Sequence, residues 1–416
     1  VTTTVPRPEL IAENGGARAA FQGYLERLRG GDVGSVPAVT GLVALVLFFS
    51  IARPDSFATT RNFANLLVQG APIIFIAMGL VFVLLLGEID LGAGFTAGTA
   101  AAVVAVLMTN HGVAWPVAVV ACVLTGAAIG LVLGLLVALL NIPSFVVTLA
   151  SFLALQGVLL LVIGQGGTIP VNDSTILSLM NDNLPPWLGW AGVAVIVAGY
   201  AALALAGSAR RTRSGLEAPP AGVLVFKIVA LAVILAVVTF LLNQERAVNP
   251  TVRSLKGIPV VVPVTIVFLL VLTFVLSRTA FGRHVYAVGG NAEAARRAGI
   301  TVPWVRISCF VISSSLAAVA GILYASYNNS VSPTTGGAST LLYAVGAAVI
   351  GGTSLFGGKG RVIDAIIGGL VVATIQNGLL LITSQSGAQY IVTGAVLLLA
   401  ASVDAISRRR VAATGR

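Results

Sequence analysis

Few residues of this 416-residue chain could do covalent chemistry, and their spacing speaks against it. The two histidines, His111 and His284, fall in segments expected on opposite faces of a membrane, so neither a histidine-based catalytic group nor a metal cluster is expected. Cys122 and Cys309 both sit inside apolar runs and read as buried small hydrophobes rather than as a disulfide or zinc pair. Gly352 to Lys359 has the outline of a phosphate loop. A GxxxxGK[ST] match ending at Lys359 would need Gly where Thr353 stands and Ser or Thr where Gly360 stands, so this chain is not expected to bind ATP. No catalytic and no metal-ligating residue is assigned. Glu88 and Asp90 are the only acids between Asp55 and Asp173, and they lie beside glycine-rich backbone. An ionisable residue at membrane depth suggests function. Asp90 can pin the turn by accepting backbone N–H bonds, contact hydroxyls of a solute, or relay protons.

The most informative segment is Arg278-Thr-Ala-Phe-Gly-Arg-His-Val-Tyr-Ala-Val-Gly-Gly-Asn-Ala-Glu-Ala-Ala-Arg-Arg-Ala-Gly-Ile300. Asn291 can cap a short helix, Glu293 sits near its positive end and four residues before Arg297, and Gly299 can stop it. A capped, small-faced helix between two apolar runs suits docking to a partner; the plainer reading is a solvated loop with one helical turn.

These segments need a frame to hold them, and composition dictates what it is. Apolar residues make up 57% of the chain and charged residues 9%, with a mean hydropathy of +1.01. That is too little charge to cover a soluble enzyme and too much apolar surface to remain disordered. The expected fold is all-α: a polytopic membrane protein of about twelve spanning helices. The tenth run, 341–355, is short and glycine-rich, which at membrane depth requires surrounding protein or an aqueous cavity. The 47 glycines suit close helix packing in lipid.

Charge then orients the chain. With the N-terminus inside, nineteen of the 24 Lys and Arg fall in cytoplasmic segments, which puts both termini in the cytoplasm. The net charge of +10 is thus explained by topology, and no nucleic-acid partner is expected. The expected organisation is a basic cytoplasmic segment over 1–35 with an amphipathic surface helix at Gly16–Gly30, a membrane domain over 36–406 containing a cytoplasmic region at 277–306, and a basic tail over 407–416. No cleaved signal is expected at the N-terminus. Gly87-Glu-Ile-Asp-Leu-Gly-Ala-Gly94 and Gly351-Gly-Thr-Ser-Leu-Phe-Gly-Gly358 share Gly, Leu and Gly spacing, each between two apolar runs, which suggests a two-fold internal repeat.

Phe281 through Ile300 resembles the FGR-x-x-YA-x-GGN-x-EAAR-x-x-GI pattern of the ribose/xylose class of carbohydrate-uptake ABC transporter permeases, a branched-chain/sugar permease family. Residues 87–94 resemble the family's G-G-I-D-L-S-V-G segment, with Glu88 replacing a Gly and Gly92 a Ser. Asn141 to Ala150, Val349 to Gly358 and Gln376-Asn377-Gly378 resemble three further family stretches, and the four longer matches run in family order from about Ile76 to Thr383. The extra pair of apolar runs around Ser208–Pro220 looks most like the D-xylose-type members.

The resemblance implies a non-enzymatic permease subunit in the cell membrane of a prokaryote, importing a xylose-like monosaccharide. It implies a cytoplasmic ATP-binding subunit carrying ATP and Mg, an extracytoplasmic sugar-binding protein, and a second permease copy, with no cofactor in this chain. Coupling to the ATPase would fall to Gly282, Tyr286, Gly289, Asn291, Glu293, Ala294, Ala295, Arg296, Arg297 and Gly299. The translocation pathway would draw on Glu88, Asp90, Ser144, Phe145, Thr148, Gln156, Thr353, Ser354, Gln376 and Asn377. A neutral sugar needs hydrogen-bonding groups and little charge, and Ser151 and Ser313 to Ser315 add to that supply; back-bonding of Ser and Thr to their own helices is the competing explanation. Binding-protein contacts are expected on 165–186, 243–257 and 327–340. The rival function is an ion-gradient-driven secondary sugar transporter with Asp90 as its carboxylate relay.

Overall fold

The computed structural model describes residues 35–164, 166–215, 220–252, 254–396, 398 and 402. Among them, nine helices are long and apolar enough to cross a membrane, and two apolar helices are shorter, Val36–Ala52 and Ala338–Gly351. The shorter pair matches the first and tenth expected runs. The twelfth run, 390–406, lies partly outside the described residues, as do the Gly16–Gly30 helix and the 407–416 tail wholly. The chain is therefore an all-α polytopic membrane protein.

In chain order the helices are α1 (Val36–Ala52), α2 (Thr60–Leu85), α3 (Ala93–Ala105), α4 (Trp115–Leu139), α5 (Ser144–Ile163), α6 (Ser174–Asn181), α7 (Pro186–Arg213) and α8 (Ala221–Leu242). They continue as α9 (Val261–Arg278), α10 (Ala280–Gly290), α11 (Ala292–Arg297), α12 (Val302–Asn328), α13 (Ala338–Gly351) and α14 (Val362–Ile382). A π-helical turn, Val106–Asn110, ends α3. Helices α7 and α8 form one compact unit, and the remaining helices form the other. Within its own unit, α7 is about 42 Å long by its 28 residues, more than the ~30 Å hydrocarbon core, and ends on Arg210, Arg211 and Arg213.

In the larger unit, α2 is almost wholly buried and packs with α12 at the centre. Small residues set how close the helices come. Gly126, Gly130 and Gly134 form a stripe on α4, and a Cβ on them would lie 2.5 Å from Ser314 O, 2.4 Å from Phe310 O and 2.7 Å from Ile307 Cα of α12. The backbones touch there, which is how helices gain packing energy where lipid tails cancel any hydrophobic drive. Cys122 continues the stripe and donates its Sγ–H to Ala318 O at 3.5 Å, so it behaves as a small buried residue. The opposite face of α4 exposes Val117, Val120, Leu124, Leu131 and Val132, as a lipid-facing surface must.

The loops expected outside are tied down. Strand β1 (Ile169–Pro170) pairs antiparallel with β2 (Ser330–Val331), and Asp173 caps α6 through the Thr175 and Ile176 N–H groups. Asn181 donates to Ser326 O at 2.9 Å, which fixes α6 to the end of α12.

Candidate functional site

The segment 279–300 folds as the sequence requires. Thr279 caps α10 by accepting from Gly282 N, and Asn291 caps α11 by accepting from Ala294 N at 2.9 Å. Glu293 pairs with both Arg296 and Arg297 on the outer side of α11. Gly299, at φ +86°, ends the helix: its N–H reaches Arg296 O and that of Ile300 reaches Ala295 O, satisfying the last carbonyls. Glu293, Ala294, Arg296 and Arg297 are exposed while Ala295 is buried. The helix therefore presents a charged face outward on an apolar anchor.

What holds this segment to the membrane helices is a pair of glycine turns. Gly87 (φ +74°) and Gly352 (φ +121°) close α2 and α13 in the same way. The Gly87 and Glu88 N–H groups return to Leu84 and Val83, and those of Gly352 and Thr353 return to Val349 and Ala348. The two turns, similar in sequence, thus share a local geometry, offset by one residue. The turns also touch: Gly358 N donates to Leu85 O at 2.8 Å. Gly289 seals the junction, since a Cβ there would lie 1.8 Å from Leu85 O and 3.0 Å from Gly358 N. Tyr286 adds a bond from its hydroxyl to Gly360 O at 2.8 Å; burial, with the Asp364 charge second, pushes that hydroxyl's pKa up. Tyr286 and Gly289 are therefore joints to the turns, Gly282 lies against Leu276 and Val275 of α9, and Glu293, Ala294, Arg296 and Arg297 form the outward surface.

The first turn is gripped from three sides. Asp90 is buried; Oδ1 accepts from Gly92 N at 3.0 Å and Oδ2 from Ser313 Oγ at 3.1 Å. Ser144 Oγ accepts from Ile89 N, and Thr148 donates to both Ile89 O and Ser144 O. Arg306 Nε lies 3.2 Å from Glu88 Oε1, a pairing of charges in which the N–H is not aimed at the carboxylate. Arg306 is on the first turns of α12, the helix that follows α11, so the start of α12 and the first glycine turn share a charged link.

The remaining expected pathway residues disperse. Thr353 and Ser354 are buried in the second turn, where Ser354 Oγ accepts from Phe356 N and Thr353 Oγ1 has no hydrogen-bond partner. Asn377 is buried between α14 and α2, accepting from Asn62 Nδ2 at 2.8 Å and donating to Gln69 Oε1 at 3.2 Å. Gln376, half-buried, meets the Tyr343 hydroxyl. Gln156 is half-buried on α5, away from both turns, and Phe145 is 53% exposed on the outer side of that helix. Sequence reading did not select Arg306, Asn62 or Gln69. Arg306 was legible only as a topological charge, but Asn62 and Gln69 stand seven residues apart on one helix, a spacing that marks a shared face.

Among the described residues no group of three or more His, Cys, Asp or Glu could hold a metal ion. Glu245 organises the loop between α8 and α9. Its carboxylate accepts from the N–H groups of Arg246, Ala247 and Leu255 and from the Ser254 hydroxyl. The bonds from Leu255, Ser254 and Ala247, in that order, lower its pKa to about 2. Arg246 is buried and donates to Leu242 O and Gly257 O, closing the loop.

Residues 62–401 match the family described as branched-chain amino acid transport system / permease component. The chain is 34% identical over 374 residues to the xylose transport system permease protein XylH of Escherichia coli K12, covering 89% of this chain and 92% of that one. It is 33% identical to the protein of the same name from Haemophilus influenzae, over 89% and 95% of the two chains. Against the ribose import permease protein RbsC of Escherichia coli K12 it is 30% identical, over 88% and 92%. No solved structure matches.

Proposed function

Since the chain belongs to the branched-chain amino acid transport system / permease component family, we propose that it is the membrane-spanning subunit of an ATP-driven importer for a xylose-like monosaccharide. The observation that carries the mechanism is the joint between α10, α11 and the two glycine turns. A push on the outward face around Glu293 would pass through Gly289 into both turns, and through Arg306 to Glu88. From there it would reach α2, α3, α12 and α13, the helices that surround the core. A cytoplasmic ATP-binding subunit is the natural source of that push, since this chain has no nucleotide loop of its own.

The substrate class follows the relatives named for xylose and ribose transport, and the chemistry of the helices supports it. Their polar groups are amides and hydroxyls such as Gln376, Asn377, Tyr343 and Gln69. Those suit a neutral polyol better than the paired charges of an amino acid, which would require desolvated counter-charges. Nine long helices and two short ones among the described residues, with the apolar stretch of sequence at 390–406, support a count of twelve passes, which would put both termini in the cytoplasm at the inner membrane of a bacterium. On the opposite side, 165–186, 243–257 and 327–340 would receive a sugar-loaded binding protein, and a second copy of this chain would complete the pathway.

The gradient-driven alternative gains little support from Asp90. Both of its oxygens are engaged within the chain, on Gly92 and Ser313, which is the arrangement of a residue that holds a turn. The test is uptake of labelled D-xylose into proteoliposomes. ATP-dependent uptake only with the ATP-binding subunit and binding protein present supports the proposal; uptake by this chain alone on a proton or sodium gradient refutes it.

A further inference from the structure

Lipid-facing helix surfaces expose apolar side chains, because an amide in hydrocarbon loses its hydrogen bonds with water. The exposed large side chains of α5 obey this, with Leu149, Leu153 and Leu161 outward. One partly exposed face does not. On α2, Asn65 is exposed and Gln69 half-buried one turn further on. On the helices packed against α2, Tyr343 of α13 and Gln376 of α14 are half-buried, the tyrosine hydroxyl against the glutamine side chain. Behind this row, the Asn62 amide donates to Asn377, which donates to Gln69 Oε1, so the side chain of Gln69 is oriented from within.

We propose that this row is a sugar-handling surface of the pathway, with Gln376 and Asn65 as hydroxyl partners, Tyr343 as a ring for the sugar's apolar face, and Asn62 and Asn377 as positioning residues that fix Gln69. The proposal rests on the sugar-permease reading. It adds where along the membrane the sugar is held and separates Gln376 from its neighbour Asn377. Gln376 lies 14 residues into α14, about 21 Å from the helix start, and Gln69 lies nine residues into α2, about 14 Å from its start. With α2 entering from outside and α14 from the cytoplasm, both fall in the outer half of the membrane. An array of amides and a phenol without charge recognises a neutral polyol by exchanging its water hydrogen bonds one for one.

The experiment has two arms, run on the complete transporter in proteoliposomes. In the first, Asn65→Cys and the control Leu153→Cys are treated from outside with a membrane-impermeant thiol reagent; Cys122 and Cys309 are buried and give little background. Asn65→Cys is expected to react at least about tenfold faster. Equal rates place the face in lipid and overturn the proposal. In the second, Gln376→Leu is expected to lower ATP-driven D-xylose uptake about fivefold, the loss of one hydrogen bond, with ATPase stimulation by the loaded binding protein retained. Unchanged uptake overturns the proposal, and so does loss of uptake and ATPase stimulation together, which would make Gln376 a structural residue. If wild-type transporter takes up no sugar, the permease reading fails instead, and the labelling arm still decides whether the face is wet.

Discussion

Gly289→Ala adds one methyl group at the junction between the outward segment and the glycine turns. Its Cβ would sit 1.8 Å from Leu85 O, 2.9 Å from Leu85 C and 3.0 Å from Gly358 N. Carbon does not approach backbone oxygen that closely, so α10 must draw back by more than about 1 Å. The Tyr286–Gly360 hydrogen bond, 2.8 Å long, then breaks. Overpacking costs about 1–3 kcal/mol and the hydrogen bond about 1 kcal/mol, so docking of α10 weakens by about 2–4 kcal/mol, roughly 30- to 900-fold. Gly290→Ala is the internal control: its neighbour position meets nothing within 4 Å. In reconstituted transporter, Gly289→Ala should insert and yet lose stimulation of ATP hydrolysis by the loaded binding protein, while Gly290→Ala stays within twofold of wild type. Equal behaviour of the two variants would refute the joint.

Other perturbations test the frame around that joint. Gly130→Leu forces α4 off α12, where the Cβ alone is 2.4 Å from Phe310 O; detergent-solubilised protein should lose several degrees of thermal stability, and Gly157→Leu, with open space around it, should not. A double-mutant cycle on Glu88→Gln and Arg306→Gln should give a coupling of about 1 kcal/mol in thermal unfolding; additivity would show that the 3.2 Å pair carries no energy. Glu245 has a folded pKa lowered from 4.5 to about 2, so its grip on the loop 243–258 is complete above about pH 4.5 and lost as the pH falls through about 2. Limited proteolysis of that loop should therefore rise only in strong acid for the native protein, and already at pH 7 for Glu245→Gln.

Much of the frame was legible because lipid leaves so few options. Apolar length gave the helices, and the charge split assigns them an expected direction. The α11 cap, its Glu293 pairs and its Gly299 stop were readable because each is local in sequence, within seven residues. The pathway residues were harder. Asp90, Ser144 and Thr148 are polar at membrane depth, where sequence alone leaves turn-holding, back-bonding and pore lining open; their bonds run to Ile89, Gly92 and Ser313 and hold one turn. Which helix face a side chain takes depends on neighbours more than 50 residues away, as with Asn62 and Asn377. The contact of the two glycine turns at Leu85 and Gly358 is likewise a tertiary fact, although the echo between the turns was visible as spacing.

The account stands on the outward face of α11 being the place where an ATP-binding subunit engages. Cysteine at position 293, with a short bifunctional thiol cross-linker applied to inside-out vesicles, tests this most directly. The account predicts a cross-link to the ATP-binding subunit that stops transport and is absent when cysteine is placed at position 245, on the loop it assigns to the outside. Cross-linking only to an external partner, or labelling of position 293 from outside intact cells, would contradict it.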